Sequence, residues 1–138
     1  MKNILLKLAK ANKNLVVLSV NAARCGEFAK FFPDRFFAFG AAEANMVSCA
    51  AGFSLAGKLP VVVGDSEFLF PRSFDQIYND ICLPNLNVKI FAVGDKDKNF
   101  ESVISSLPNL KVCRERDVKE VEESVNEYGP VYVSLDEL

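Results

Sequence analysis

Glu43 sits at the opening of an apolar helix, within the stretch Gly40-Ala41-Ala42-Glu43-Ala44-Asn45-Met46. The helix that follows is lined with Met46, Val47, Ala50, Ala51 and Phe53. An ionised carboxylate beside such a surface loses hydration worth several kcal/mol, roughly, unless it is paired, so Glu43 asks for a partner. One reading is local: an acidic residue in a first helical turn interacts favourably with the helix dipole. The other is functional, with the carboxylate meeting a bound molecule. A second polar and aromatic group, Asp65, Glu67 and Phe68, follows the apolar run Pro60-Val61-Val62-Val63-Gly64. The chain has no histidine. That removes Ser-His and Cys-His nucleophile pairs and the common zinc sets. Chemistry at neutral pH is left to carboxylates, Lys, Cys or a cofactor.

The elements that must position these residues alternate. Continuous or near-continuous apolar runs at 15–20, 36–39, 60–64, 88–93, 110–113 and 130–135 read as strands, several of them rich in Val and Ile. Runs of that kind belong to parallel sheets buried on both faces. Helical patterns fall between them. Residues 1–11 place Ile4, Leu5 and Leu8 on one face,. A short helix is expected over 25–31, stopped by Pro33-Asp34, and one over 42–56 closed by Gly57,. The helix over 72–82 is expected to turn Phe74, Ile77, Tyr78 and Ile81 inward. Another lies near 99–106. The last is capped by Asp117, with Val118, Val121 and Val125 inside,. The expected fold is therefore α/β: one three-layer domain over 1–138 with a mostly parallel sheet. In such sheets ligands bind beyond the carboxyl ends of strands. Glu43 and the Asp65–Phe68 loop fall at those ends.

Composition excludes several functions. With 16 basic and 18 acidic residues the net charge is −2, without the basic stripe of a nucleic-acid surface. No apolar run has membrane-spanning length. The first residues read as a charged helix and not as a signal peptide. Cys25, Cys49, Cys82 and Cys113 are scattered, as reduced core cysteines of a cytoplasmic protein are. The Phe28, Phe31, Phe32, Phe36, Phe37 cluster fits either core or a partner surface,. The mixed charges from Arg114 to Glu123 read as a solvated helix face.

A set of segments occurs in one order. It runs Arg35-Phe36-Phe37-Ala38-Phe39-Gly40-Ala41-Ala42-Glu43-Ala44-Asn45-Met46-Val47, Ala50-Ala51-Gly52, and Ala56-Gly57-Lys58-Leu59-Pro60. Then come Arg72-Ser73-Phe74-Asp75-Gln76-Ile77, Asn85-Leu86-Asn87-Val88-Lys89-Ile90, Leu107-Pro108-Asn109-Leu110 and Tyr128-Gly129-Pro130-Val131-Tyr132-Val133. This resembles the pyrimidine-binding domain of the transketolase family, from about Asn14 to Leu135. The resemblance implies the thiamine-diphosphate-binding fold and that cofactor. It makes Glu43 the acid that hydrogen-bonds N1′ of the aminopyrimidine and activates the cofactor, and gives Phe68 a place against the pyrimidine ring. It implies ketol transfer between sugar phosphates.

The departures shape the same expectation. Asp65 stands where the family stacks an aromatic on the pyrimidine, and Asn21 where it has an Asp. Cys25 lies near a family Ser that helps hold substrate, and reads as a buried small hydrophobe. The family's loop after Val93, with its Gly-x-Asp-Gly element and histidines, is replaced by Gly94-Asp95-Lys96-Asp97-Lys98-Asn99-Phe100. No Gly-Asp-Gly…Asn motif for magnesium and diphosphate is present. The chain is expected to offer half a site, with magnesium and diphosphate held by a diphosphate-binding partner of a split transketolase. The alternative is a non-catalytic domain that serves as an interaction partner or homodimer.

Overall fold

A computed structural model describes residues 3–94, 96–114 and 118–138, apart from the Asp97 side chain. The apolar runs form β1 (Leu15–Ser19), β2 (Phe36–Ala38), β3 (Leu59–Asp65), β4 (Lys89–Val93), β5 (Lys111–Arg114) and β6 (Val131–Leu135). They make one sheet in the order β2-β1-β3-β4-β6-β5. Every neighbouring pair is parallel, with Val17 opposite both Phe36 and Val61, and Phe91 opposite both Val63 and Val133.

Successive strand residues feed opposite faces, as the pleat requires. Leu15 and Val17 join one core with Ile4, Leu5 and Leu8 of α1 (Ile4–Ala11), Phe28 of α2 (Phe28–Phe31), and Val121 and Val125 of α6 (Val118–Asn126). Val16 and Leu18 join the other with Met46, Val47 and Ala50 of α3 (Glu43–Leu55), Leu69 and Phe70 of α4 (Leu69–Gln76), and Ile104 of α5 (Glu101–Ser106). The result is a three-layer α/β fold with a sheet covered on both faces. The Phe28–Phe37 cluster belongs to this core for the most part. Phe28 is buried and Phe32, Phe36 and Phe37 pack against the core, while Phe31 is exposed. Arg35 ties α1 down, donating to the carbonyls of Ala9, Asn12 and Lys13 with its guanidinium over the Phe32 ring.

Two inner-face expectations are corrected. Phe74 and Tyr78 are exposed, and Val118 lies outside the core. For α4 the cause is local. The helix starts three residues earlier than its pattern suggests, at Leu69. Ser73 leaves helical geometry (φ −130°, ψ 22°) and its hydroxyl turns back to the Leu69 carbonyl. The helix then runs into a π-turn over Ile77–Cys82. Ile77 and Ile81 face the core as expected, joined by Phe70 and Cys82, while Phe74, just past the non-helical Ser73, and Tyr78, in the wider turn, do not,. The Asp117 cap lies outside the described residues.

Lys89 is fully buried at the amino end of β4. Its Nζ donates to the carbonyls of Glu127 (2.6 Å) and Gly129 (2.8 Å), fixing the turn that enters β6. Burial pushes its pKa down to about 8; the nearby Glu127 carboxylate opposes that shift and Lys111 adds to it. Between about pH 8 and the usual lysine value near 10.4, the unfolded chain holds a proton that the folded chain has released. Raising the pH through that window therefore stabilises the fold, by about 2–3 kcal/mol at most from this residue. Urea unfolding of wild type and Lys89→Met at pH 7.5 and pH 10 should show a pH slope more favourable in the wild type by that amount, the buried thiols Cys25 and Cys82 acting equally in both,; equal pH slopes would refute it.

Candidate functional site

The chain steps from β1 to β2 on one side and then crosses back over β1 to β3. The segments leaving β1 and β3 therefore depart to opposite faces of the sheet. A crevice between adjacent strands that diverge in this way is where open α/β sheets bind ligands. The residues singled out from the sequence all lie along this carboxyl edge. Gly40 (φ +69°) turns the chain out of β2, and Glu43 opens α3. Asp65 ends β3, and Phe68 immediately precedes α4.

Glu43 is 6% exposed. The partner its burial requires is Arg72, whose Nη1 donates to Glu43 Oε1 at 3.3 Å. Arg72 lies four residues after Phe68, and its amide donates to the Phe68 carbonyl at 3.0 Å. That spacing places both side chains on one face of the helix start. The guanidinium carbon sits 4.2 Å from the centroid of the Phe68 ring. Glu43 and Phe68 are thus joined through one side chain that the residue patterns did not single out as functional. The available signal was the spacing from Phe68, an arginine placed to cover an aromatic at a helix start.

Asp65 is engaged elsewhere. It forms an ion pair with Arg24 across the β1–β3 crevice. Arg24 lies in the short 3-10 turn Ala22–Cys25, which Asn21 caps by accepting the Arg24 amide hydrogen at 3.1 Å. Asn21 therefore sets the turn that presents Arg24. The pair borders a depression of about 340 Å³ lined in part by Phe68, Ser66, Gly94 and Lys96. Its floor is fixed by backbone contacts. The Ser66 amide donates to the Val93 carbonyl (2.8 Å), and Ser66 Oγ accepts from the Lys96 amide (3.0 Å). Gly94 is needed here twice over: its φ is +106°, and an added Cβ would lie 3.0 Å from Ser66 Oγ,. Gly64 serves close packing, since a Cβ there would press on the Leu69 side chain at 3.3 Å.

Cys25 and Cys82 contribute no nucleophile to this edge. Burial raises the Cys25 thiol to about 11, partly offset by a hydrogen bond with Ser19, and raises Cys82 to about 12. Thiols held that high are inert near neutral pH. Among the described residues no three His, Cys, Asp or Glu side chains cluster as a metal site. No helix among them is long and apolar enough to cross a membrane.

A buried carboxylate and an aromatic thus lie at the carboxyl edge of a parallel three-layer sheet, the edge at which α/β sheets bind ligands,. Comparison with known proteins makes the class specific. Residues 1–96 match the family model of the transketolase pyrimidine binding domain, and the chain belongs to that family. It is 39% identical over 136 residues to 1-deoxy-D-xylulose-5-phosphate synthase of Syntrophus aciditrophicus, covering 87% of this chain and 20% of the relative. It is 32% identical over 137 residues to an apulose-4-phosphate transketolase subunit of Actinobacillus succinogenes, covering 88% of this chain and 44% of that relative. A solved structure described as a split gene transketolase, inactive beta4 tetramer, aligns with TM-score 0.86 at 34% identity, over 96% of this chain and 48% of its own. The chain thus spans about half of the split relatives and a fifth of the synthase.

The two ion pairs at this edge differ in burial, and so in strength. The Glu43 side chain is 7% exposed, whereas Arg24 and Asp65 are 43% and 28% exposed. A double-mutant unfolding cycle on Glu43 and Arg72 should give a coupling of about 1–2 kcal/mol. The same cycle on Arg24 and Asp65 should give about 0–1 kcal/mol. The reverse order would show that Glu43 does not depend on Arg72.

Proposed function

We propose that residues 1–138 act as the pyrimidine-binding subunit of a split, thiamine-diphosphate-dependent ketol transferase. It works with a separate diphosphate-binding subunit on sugar phosphates. The observation that carries this reading is the juxtaposition of Glu43 and Phe68 at the carboxyl edge of the sheet. A buried carboxylate and an aromatic face, linked through a single arginine, fit the two recognition features of an aminopyrimidine: a nitrogen on its edge and a flat π surface. Family membership and the likeness to one subunit of an apulose-4-phosphate transketolase support the same assignment.

Thiamine diphosphate, when bound, supplies the carbon nucleophile that breaks and makes the ketol bond. Glu43 would hold the proton shared with the pyrimidine nitrogen. Its apolar surroundings strengthen that one contact, because few competing dipoles screen it. Phe68 would orient the ring. Asp65, which shares a depression with Phe68 but not with Glu43, would border the ring without stacking on it, its charge balanced by Arg24. Magnesium and the diphosphate are assigned to the partner subunit. The passage from β4 through the 3-10 turn Lys96–Phe100 into α5 is short, so sugar-phosphate contacts would come largely from the partner. The inactive tetramer of the split-gene relative suits a chain of this kind that needs a complementary subunit. We place the protein in the cytoplasm, where its free thiols would stay reduced,.

The test is calorimetric titration of thiamine diphosphate and magnesium into the chain, alone and mixed with the diphosphate-binding subunit of a split transketolase. Binding should appear only in the mixture. Glu43→Gln should preserve assembly and lower turnover by about 10²–10³-fold. Phe68→Ala should weaken cofactor binding about tenfold. Absence of binding in the mixture, or a Glu43→Gln variant as active as wild type, would exclude the assignment and favour a non-catalytic interaction partner.

A further inference from the structure

We propose that Arg72 is a placeholder for the pyrimidine ring, so that cofactor loading is an exchange and not the filling of an open site. The proposal rests on the reading of Glu43 and Phe68 as the pyrimidine's two contacts. The guanidinium already makes both. Its Nη1 reaches Glu43 Oε1 at 3.3 Å, and its carbon lies over the Phe68 ring at 4.2 Å from the centroid. A guanidinium is planar and delocalised, with donors along its edge and a face that stacks on aromatics. An aminopyrimidine also presents a polar edge and a flat face on the same scale, although its ring nitrogen would meet Glu43 through a proton that the carboxyl supplies, where the guanidinium donates its own. Both distances are contact distances, so a ring meeting this carboxylate and this face of Phe68 needs the volume that the guanidinium fills.

Two further observations suit a replaceable occupant. The contact to Glu43 is single and longer than the 2.7–2.9 Å or so of a strong charge-assisted hydrogen bond,. The Arg72 side chain is 50% exposed, whereas that of Glu43 is 7% exposed. Arg72 can therefore move into water for no more than the cost of its two contacts, while Glu43 would have to be rehydrated from a buried position,. In the lone chain the exchangeable group compensates the fixed one, and the buried carboxylate is never left without a counter-charge.

The experiment uses the complex of the chain with its diphosphate-binding subunit, titrated with thiamine diphosphate and magnesium. Arg72→Ala should bind about tenfold more tightly than wild type, since no occupant has to leave. Arg72→Lys keeps the charge but lacks the planar face, so it should also bind more tightly; it carries the test if the alanine variant does not fold. In the wild-type complex, mass-spectrometric mapping of phenylglyoxal labelling should show Arg72 reacting faster once cofactor is bound. Weaker or unchanged binding in the variants, or protection of Arg72 by cofactor, would overturn the placeholder while leaving the cofactor assignment standing. No binding by wild type or either variant would remove the cofactor assignment, and the placeholder with it.

Discussion

The candidate site exists because β1 and β3 are neighbours whose following segments leave on opposite faces. Right-handed crossovers permit little else once the strand order is set. The chain folds its first βα unit to one side and the remainder to the other, and the divergence opens a crevice at the carboxyl edge. Glu43 after β2, the Arg24–Asp65 pair spanning the crevice, and Phe68 with Arg72 after β3 lie at that edge. The amino edge holds structural devices instead. Lys89 pins the turn before β6, and Arg35 collects the last carbonyls of α1.

Within that edge, burial decides which charges matter. The Arg24–Asp65 pair is wet, and water screens most of its attraction. The Glu43–Arg72 pair is asymmetric, with one end nearly dry and the other in solvent. Such a pair contributes little net stability compared with an apolar substitute, because drying the carboxylate costs about what the pairing returns. Its retention at this position is better understood through what the carboxylate can contact than through folding energy.

The strands were legible because each is a short apolar run bounded by turn residues, and buried parallel strands need no finer code. Helix α1 was legible through its spacing, and α3 through its run of small residues closed by Gly57. The start and inner face of α4 were not. Its pattern suggests Phe74, Ile77, Tyr78 and Ile81 inside; Ile77 and Ile81 are, but the non-helical Ser73 and the wider turn leave Phe74 and Tyr78 outside. Val118 fails for a simpler reason, since it begins α6 where the helix has not yet met the sheet. Glu43 announced itself as a carboxylate beside apolar neighbours. Its partner did not, because Arg72 lies 29 residues away and only the packing of α4 against α3 brings it close. Asp65 was legible as an acidic residue at a strand end, but its engagement with Arg24 depends on which strands are adjacent, and a linear pattern does not carry that.

The π-turn gives α4 two independent phases. Its first turns are set by Phe68 and Arg72 against Glu43. Its end is fixed by the bonds of the Leu83 and Leu86 amides to the carbonyls of Tyr78 and Ile81 and by the left-handed Asn85 that begins the approach to β4. An unbroken α-helix would lock these ends together at 100° per residue or so, so that one added residue would rotate Arg72 away from α3. The wider turn works as a slip joint. Together with the non-helical Ser73, it leaves the angular setting of the guanidinium independent of the helix's second half,.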